Sequence, residues 1–240
     1  MSDAFDNLRV VLVATRNPLN LGAAARAMSN FGFTRLRVVN PYDVAFREAR
    51  SAVGASALLA NTKEYKSIAE AVADCALVVG TTAVRHRELQ HPLHRLEHGA
   101  RLIRKRLASN RVALLFGSEK VGLANEDLSH CHWLMRIPTG EKHISMNLGQ
   151  AVAVALYELV RDAKAARSSE KPQCATSGKT ERITAVLLDA LCASGYMQPR
   201  ADAATEQKVR RVIRRLRLSA MDAEILLGML RQIVWKLRQE

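Results

Sequence analysis

The sequence predicts an α/β fold built on a parallel sheet, followed by a small all-helical unit. Three observations carry that prediction. Over the first 165 or so residues short aliphatic runs alternate with helical patterns, the signature of βα repeats in a parallel sheet. The runs are nearly continuous in apolar residues, as strands covered on both faces are. Beyond about residue 180 only helical patterns occur.

The expected strands are Leu8 to Ala14, Arg35 to Val39, Ala76 to Gly80, Val112 to Phe116 and Trp133 to Ile137. Between the first two, Leu21, Ala24, Ala25 and Met28 recur at helical spacing, with Asn20 placed to cap the helix. Another helix is expected from about Leu93 to Ala108, where Arg95, Arg101, Arg104, Lys105 and Arg106 form either a solvated face or an RNA-facing one. From Asn147 to about Ala166 a strong helix former has an alanine-rich first half. Small side chains there let a second backbone approach, from the same domain or from a subunit partner.

Residues 167–179 (RSSEKPQCATSGK) are polar, lack a hydrophobic period and read as a linker. The chain thus divides into a domain over 1–166, this linker, and a basic helical unit over 180–240 with helices near Glu181 to Ser194, Ala203 to Leu218 and Ala220 to Gln239. In the middle helix Val209, Val212, Ile213 and Leu216 form an apolar stripe, and Lys208, Arg210, Arg211, Arg214, Arg215 and Arg217 cover most of the rest. The GKT at Gly178 to Thr180 is no phosphate loop, because Gln173 stands where the leading glycine would be and no strand precedes it.

Across 240 residues, 36 Lys and Arg against 23 Asp and Glu give a formal charge of +13. That excess suits a polyanionic partner, RNA before DNA, better than a small metabolite. No apolar run reaches the roughly 18 residues that span a bilayer, and the first nine residues lack a signal-type apolar core, so a cytoplasmic protein is expected. Cys75, Cys131, Cys174 and Cys192 form no CxxC pair, and His86, His91, His94 and His98 lack a matching carboxylate or thiolate set, so no metal is expected.

Ligands of open α/β sheets bind at the carboxyl ends of strands. Three such loops concentrate Asn, Gly, Ser, Thr and Pro: residues 15–26 (TRNPLNLGAAAR), 116–125 (FGSEKVGLAN) and 137–148 (IPTGEKHISMNL), with a fourth at 80–87 (GTTAVRHR). The first has a single glycine and no GxGxxG, which disfavours a dinucleotide dehydrogenase. Ser118 sits in no GxSxG elbow, which excludes a serine hydrolase of that type.

The set Asn20, Gly22, Ala23 and Arg26, then Phe116, Gly117, Glu119, Gly122 and Leu123, then Ile137 and Pro138 with Ser145, Asn147 and Leu148, resembles the three motifs of the SpoU or TrmH branch of the SPOUT RNA methyltransferases. Each motif alone is weak; three in order over about residues 8–165 are specific. Within the branch the chain looks most like the TrmJ family of tRNA methyltransferases, since the first motif lies near the N-terminus and the helical extension follows the sheet. Gly195-Tyr196 and the basic helix after Lys208 are similar to that family's C-terminal region. Met146 stands where leucine is familiar, and Ser118 where arginine is common.

The resemblance implies an α/β sheet whose C-terminal segment threads a deep trefoil knot, an arrangement that general topology disfavours. It implies S-adenosyl-L-methionine as cofactor, surrounded by Thr81, Thr82, Ala83, Gly117, Ile137, Ile144, Ser145 and Met146. It also implies a homodimer through the knot region, and a methyl group transferred to the ribose 2′-hydroxyl of the first anticodon-loop nucleotide, position 32, of tRNA. The alternatives are a ribosomal-RNA methyltransferase of the same branch and a non-catalytic RNA-binding protein that keeps the fold. Arg26, Asn20, Ser145 and Asn147 become the catalytic candidates, with Gly22, Glu119, Gly122 and Leu123 organising the loops. Arg16, Arg85, Arg87, Lys208, Arg211, Arg214 and Arg215 become RNA contacts. Arginine titrates above about 12, so lowering it to 7 would cost on the order of 7 to 9 kcal/mol. Arg26 is therefore expected to stay protonated and orient a phosphate rather than act as a base.

Overall fold

The computed structural model describes residues 3–42, 57–83, 90–161, 174–197 and 203–239. Among these, seven strands form one sheet in the order β3-β2-β1-β6-β4-β7-β5: β1 (Leu8–Val13), β2 (Leu36–Val39), β3 (Lys63–Tyr65), β4 (Leu77–Thr81), β5 (Leu93–Arg95), β6 (Val112–Phe116) and β7 (Trp133–Arg136). Every pairing is parallel. The five expected strands are present within a residue at each end. The two unexpected ones are short edge strands with few apolar residues. β3 reads Lys-Glu-Tyr, and β5 takes the first three residues of what the sequence suggested was helix. Leu93–Arg95 instead pair with Leu134–Arg136, locked by the Leu134 N–H donating to the Pro92 carbonyl at 2.8 Å.

Helices cover both faces, which explains the nearly continuous apolar strands. Val10, Leu12, Leu114 and Phe116 point into one cluster with residues of α1 (Pro18–Asn30), α4 (Leu96–Leu107) and α6 (Leu148–Arg161). Val11, Val13, Ala113 and Leu115 point into the other, with α3 (Ile68–Val72) and α5 (Asn125–Ser129); the short α2 (Ala57–Ala60) adds Leu59 to the first. Burying a Leu or Val side chain contributes about 1.5 to 3 kcal/mol, so this period-two division between two cores fixes the register of the central strands. The alanine-rich start of α6 lies against α1 of the same chain: a Cβ on Gly149 would stand 2.5 Å from the Ala23 Cβ.

Asp74 closes the amino end of the sheet. It accepts a two-pronged contact from Arg37 at 2.6 and 2.9 Å and meets Arg111 at 3.3 Å and Arg9 at 3.8 Å. Burial alone would raise its pKa, but the Arg37 hydrogen bond and charge dominate and hold it at about 2. Because the folded value is depressed, the stabilisation, about 2 kcal/mol, is complete above the ordinary carboxylate range and lost as pH falls from about 4 to about 2. In urea titrations at pH 5 and pH 2.5, Asp74→Asn should remove that part of the acid-induced loss of stability, and an unchanged slope would count against the assignment.

The C-terminal helices are α7 (Ser177–Ala193), α8 (Ala203–Arg215) and α9 (Ala220–Leu237). α7 begins inside the segment read as linker, with the Thr176 side chain as its cap. Its first turn is tied to the turn between α3 and β4: the Ser177 N–H donates to the Cys75 carbonyl and the Gly178 N–H to the Ala73 carbonyl at 2.8 Å. Ile183, Ile213, Ala223, Leu227 and Leu230 form the core of this unit.

α8 does not bury the stripe its sequence suggests. Val212 and Leu216 are about half exposed, whereas Arg210, Ile213 and Arg214 are buried. Arg210 and Arg214 converge on Glu181, and Arg210 Nη1 also reaches Ser129 Oγ at 3.4 Å. A charged pair inside a protein needs its hydrogen bonds satisfied, and α7 supplies the carboxylate. Arg104 on α4 is likewise turned inward, donating to the Glu158 carbonyl. Among the described residues no helix is long and apolar enough to cross a membrane.

Candidate active site

β1, β6, β4 and β7 are consecutive neighbours in the sheet and all parallel. Their carboxyl ends therefore share one edge, and the loops that follow them converge. The convergence encloses a cavity of about 400 Å³, within the roughly 300 to 1,000 Å³ usual for small-molecule sites. Thr81, Thr82, Ala83, Gly117, Ile137, Ile144, Ser145 and Met146, drawn from three separate peptides, all line it, and so do Glu119, Gly122 and Leu123.

Each wall is held in place by its own bonds. At the end of β4 the Thr81 hydroxyl donates to the Leu115 carbonyl at 2.9 Å, and the Thr82 N–H donates to the Met135 carbonyl at 3.0 Å. The loop after β6 folds back on itself: the Gly122 N–H donates to the Ser118 carbonyl at 2.8 Å, with Gly122 at φ +70°. That left-handed backbone favours glycine. At Gly117 a Cβ would lie 2.0 Å from the Gly122 carbonyl carbon, so the turn closes only without a side chain. The loop after β7 is cinched by the Thr139 hydroxyl donating to the Ile144 carbonyl at 3.0 Å.

At the rim a continuous polar chain ties the three motifs together. The Glu119 carboxylate accepts from the backbone N–H groups of Arg16 and Asn17 and from Asn20 Nδ2 at 2.9 Å. Asn20 Oδ1 accepts from Asn147 Nδ2 at 2.8 Å, and Asn147 Oδ1 accepts from the Gly149 and Gln150 N–H groups that open α6. An ionised carboxylate only accepts and a backbone N–H only donates, so both amides have a single orientation that satisfies the chain. Burial by itself would raise the Glu119 pKa, but the bonds from Asn20 and the backbone outweigh it and hold the group below its usual range. Glu119 therefore stays ionised at neutral pH and is poorly suited to taking a proton.

Several expectations change. The cap of α1 is Asn17, whose Oδ1 accepts from the Leu19 N–H at 2.9 Å; Asn20 lies inside the helix and serves the rim chain instead. Asn147 caps α6. Glu119 organises two loops of its own chain. Gly22 organises no loop: it lies within α1 with open space where a Cβ would be, which leaves the helix surface flat beside Ala23. Arg26 is exposed on α1 and does not line the cavity of its own chain. Among the RNA-contact candidates, Arg16 and Lys208 are exposed and Arg211 is half-buried. Arg215 is exposed and donates to the Gln90 carbonyl at 2.7 Å. Arg214, expected at an open RNA-facing surface, is only 2% exposed because Ser177 and Glu181 hold its guanidinium inside. Arg85 and Arg87 lie outside the described residues. Met135 and Thr139 also line the cavity without having been singled out, and Phe116 and Leu148, named only as motif residues, line it too. Met135 is the next-to-last residue of β7, so extending the third motif inward would have found it.

Residues 7–157 match the model of the SpoU rRNA Methylase family. The tRNA (cytidine/uridine-2′-O-)-methyltransferase TrmJ of Sodalis glossinidius is 35% identical over 95% of this chain and 91% of its own length. The enzyme of the same name from Klebsiella pneumoniae is 36% identical over 95% of this chain and 96% of its own. The crystal structure of TrmJ from Z. mobilis ZM4 superposes with a TM-score of 0.80 at 30% identity, covering 94% of this chain and 98% of that one. With the family match spanning all three loops and the likeness to TrmJ enzymes running through the C-terminal helices as well, the chain belongs to the SpoU methylase family.

Proposed function

We propose that this protein is an S-adenosyl-L-methionine-dependent tRNA methyltransferase acting on the ribose 2′-hydroxyl of the first anticodon-loop nucleotide, position 32, in the cytoplasm. The observation that carries the reading is the cavity walled by the second and third family motifs and the end of β4, with the first motif tied to both at its rim through Asn20. Its walls fit the cofactor: backbone groups of Thr82, Ala83 and Gly117 offer donors and acceptors to an adenine edge, while Ile137, Ile144, Met135 and Leu148 supply apolar cover. When bound there, the cofactor supplies an activated methyl group on a sulfonium sulfur.

In-line displacement requires that the acceptor oxygen be held opposite the leaving sulfur, so positioning supplies most of the rate. The rigid rim of Glu119, Asn20 and Asn147 fixes the walls against which the acceptor ribose would rest, and Ser145 stands exposed on the cavity wall. The Arg26 guanidinium, with its planar fork of donors, would grip a phosphate beside the target ribose and stabilise the charge that develops on the acceptor oxygen. Since Arg26 does not line the cavity of its own chain, we assign it to the cavity of a second copy in a homodimer. The flat surface at Gly22 and Ala23, with exposed Leu19 on α1 and Tyr157 on α6, is the apolar face on which such a pair would meet. The family's knot would involve these same loops and α6.

The test is to incubate the protein with tritium-labelled cofactor and unmodified tRNA or ribosomal RNA and to map the labelled nucleotide. Label at position 32 of tRNA is expected. Label confined to ribosomal RNA would favour the second enzyme reading, and calorimetric cofactor binding without transfer to either RNA would favour a binding protein. Arg26→Lys, which keeps the charge but loses the planar fork, should lower turnover by about 10- to 100-fold; near-full activity would sink the bidentate role.

A further inference from the structure

A second cavity, of about 220 Å³, lies where α4 and the amino ends of β4 and β7 meet the C-terminal helices, at the opposite end of those strands from the motif loops. Lys105, Arg106, Arg214 and Arg217 line it, together with His132 and Cys174, and no carboxylate among the described residues does. At the rim Lys105 and Arg217 are exposed, and neither makes an ion pair among the described residues. On the floor Arg214 is 2% exposed; its Nη1 donates to Ser177 Oγ and its Nη2 to Glu181, but its Nε–H is buried without a partner. A buried guanidinium N–H left unpaired is costly, and such a group marks a missing acceptor. Beside it His132 Nδ1 accepts the Val78 N–H at 3.1 Å, which places the imidazole proton on Nε2 as a further donor. Burial, with Arg214 next in effect, pushes the His132 pKa down to about 3, so the ring stays neutral. Arg106 holds the Cys174 thiol at 2.7 Å and closes that side.

We propose that this cavity binds one phosphate group, held between the sheet domain and the C-terminal helices. Four cations and an unpaired buried donor, with no lining carboxylate, call for a compact anion of more than one charge. The volume falls below the range that holds drug-sized molecules, so a nucleotide is excluded and a phosphate with a few waters fits. The phosphate is either free in solution or part of an RNA that reaches the rim. The site does not depend on the methyl-transfer reading, because none of its residues touches the motif cavity.

Calorimetric titration of inorganic phosphate into the full chain, at constant ionic strength and against chloride as control, tests this without cofactor or methylation. One saturable site per chain is expected, with affinity falling about tenfold or more in Arg217→Asn and in Lys105→Gln, as loss of a charge-assisted contact implies. Asparagine suits position 217 because the backbone there is left-handed, at φ +48°. Both variants should retain the parental melting temperature, since both side chains are at the surface. Repeating the titration with saturating tRNA assigns the source: the heat vanishes if an RNA phosphate fills the site and persists if free phosphate does, and either result upholds the site. No saturable binding in the parent, or equal affinity in both variants, overturns it.

Discussion

Gly117→Ala should abolish measurable cofactor binding while leaving the fold standing. The added Cβ would lie 2.0 Å from the Gly122 carbonyl carbon and 2.2 Å from the Leu123 nitrogen, both backbone atoms with no rotamer to swing aside. Overpacking of this kind costs typically about 1 to 3 kcal/mol when confined. The loop after β6 has a cheaper escape: it opens at the sheet edge, breaking the Gly122 to Ser118 bond that shapes it. Opening moves Gly117, Gly122 and Leu123, all wall residues, together. The affinity for S-adenosylhomocysteine should fall by about 100-fold or more, equivalent to about 2.7 kcal/mol, with a melting temperature lowered by only a few degrees. Gly140→Ala is the matched control, because a Cβ there meets nothing within 4 Å. Parental affinity in Gly117→Ala would show that the wall around Gly117 does not hold the cofactor.

The legible parts of this molecule were those where one local rule decides the outcome. The five central strands announce themselves because both faces are covered, so nearly every position is apolar. β3 and β5 do not, because a three-residue edge strand buries little and is specified by its neighbour; Leu93–Arg95 are strand only because Leu134–Arg136 lie alongside. The wall residues could be named because motif spacing identifies them residue by residue, and parallel strand order then brings them together. The function of Asn20 could not, since its partners, Glu119 and Asn147, are 99 and 127 residues away. The same blindness hid Arg214. In sequence it is one of several arginines on a basic helix, and only the docking of α7 against the sheet decides that it turns inward while Lys208 stays in solvent.

Asn20→Asp should convert the enzyme into one whose activity falls as pH rises. The substitution preserves shape, but it places a second carboxylate where Asn20 Nδ2 now donates to Glu119 Oε1 at 2.9 Å. Two carboxylates at that distance do not both ionise easily, so the pair retains one proton to a pH well above the ordinary carboxylate range. While that proton is present it replaces the lost amide donor, and the chain to Asn147 and the start of α6 survives, since the introduced carboxyl group can still accept from Asn147 Nδ2. Once the proton leaves, repulsion on the order of 1 to 3 kcal/mol drives the loop after β6 away from α1. The ratio of variant to parental turnover should therefore be highest near pH 5 to 6 and fall by one to two decades toward pH 8.5. Asn20→Ala, which removes the bond without adding charge, should lose activity to a similar extent at every pH across that range. A flat ratio for Asn20→Asp would mean that Glu119 and the side chain at position 20 do not act through direct contact, and that the three motifs are joined by packing alone.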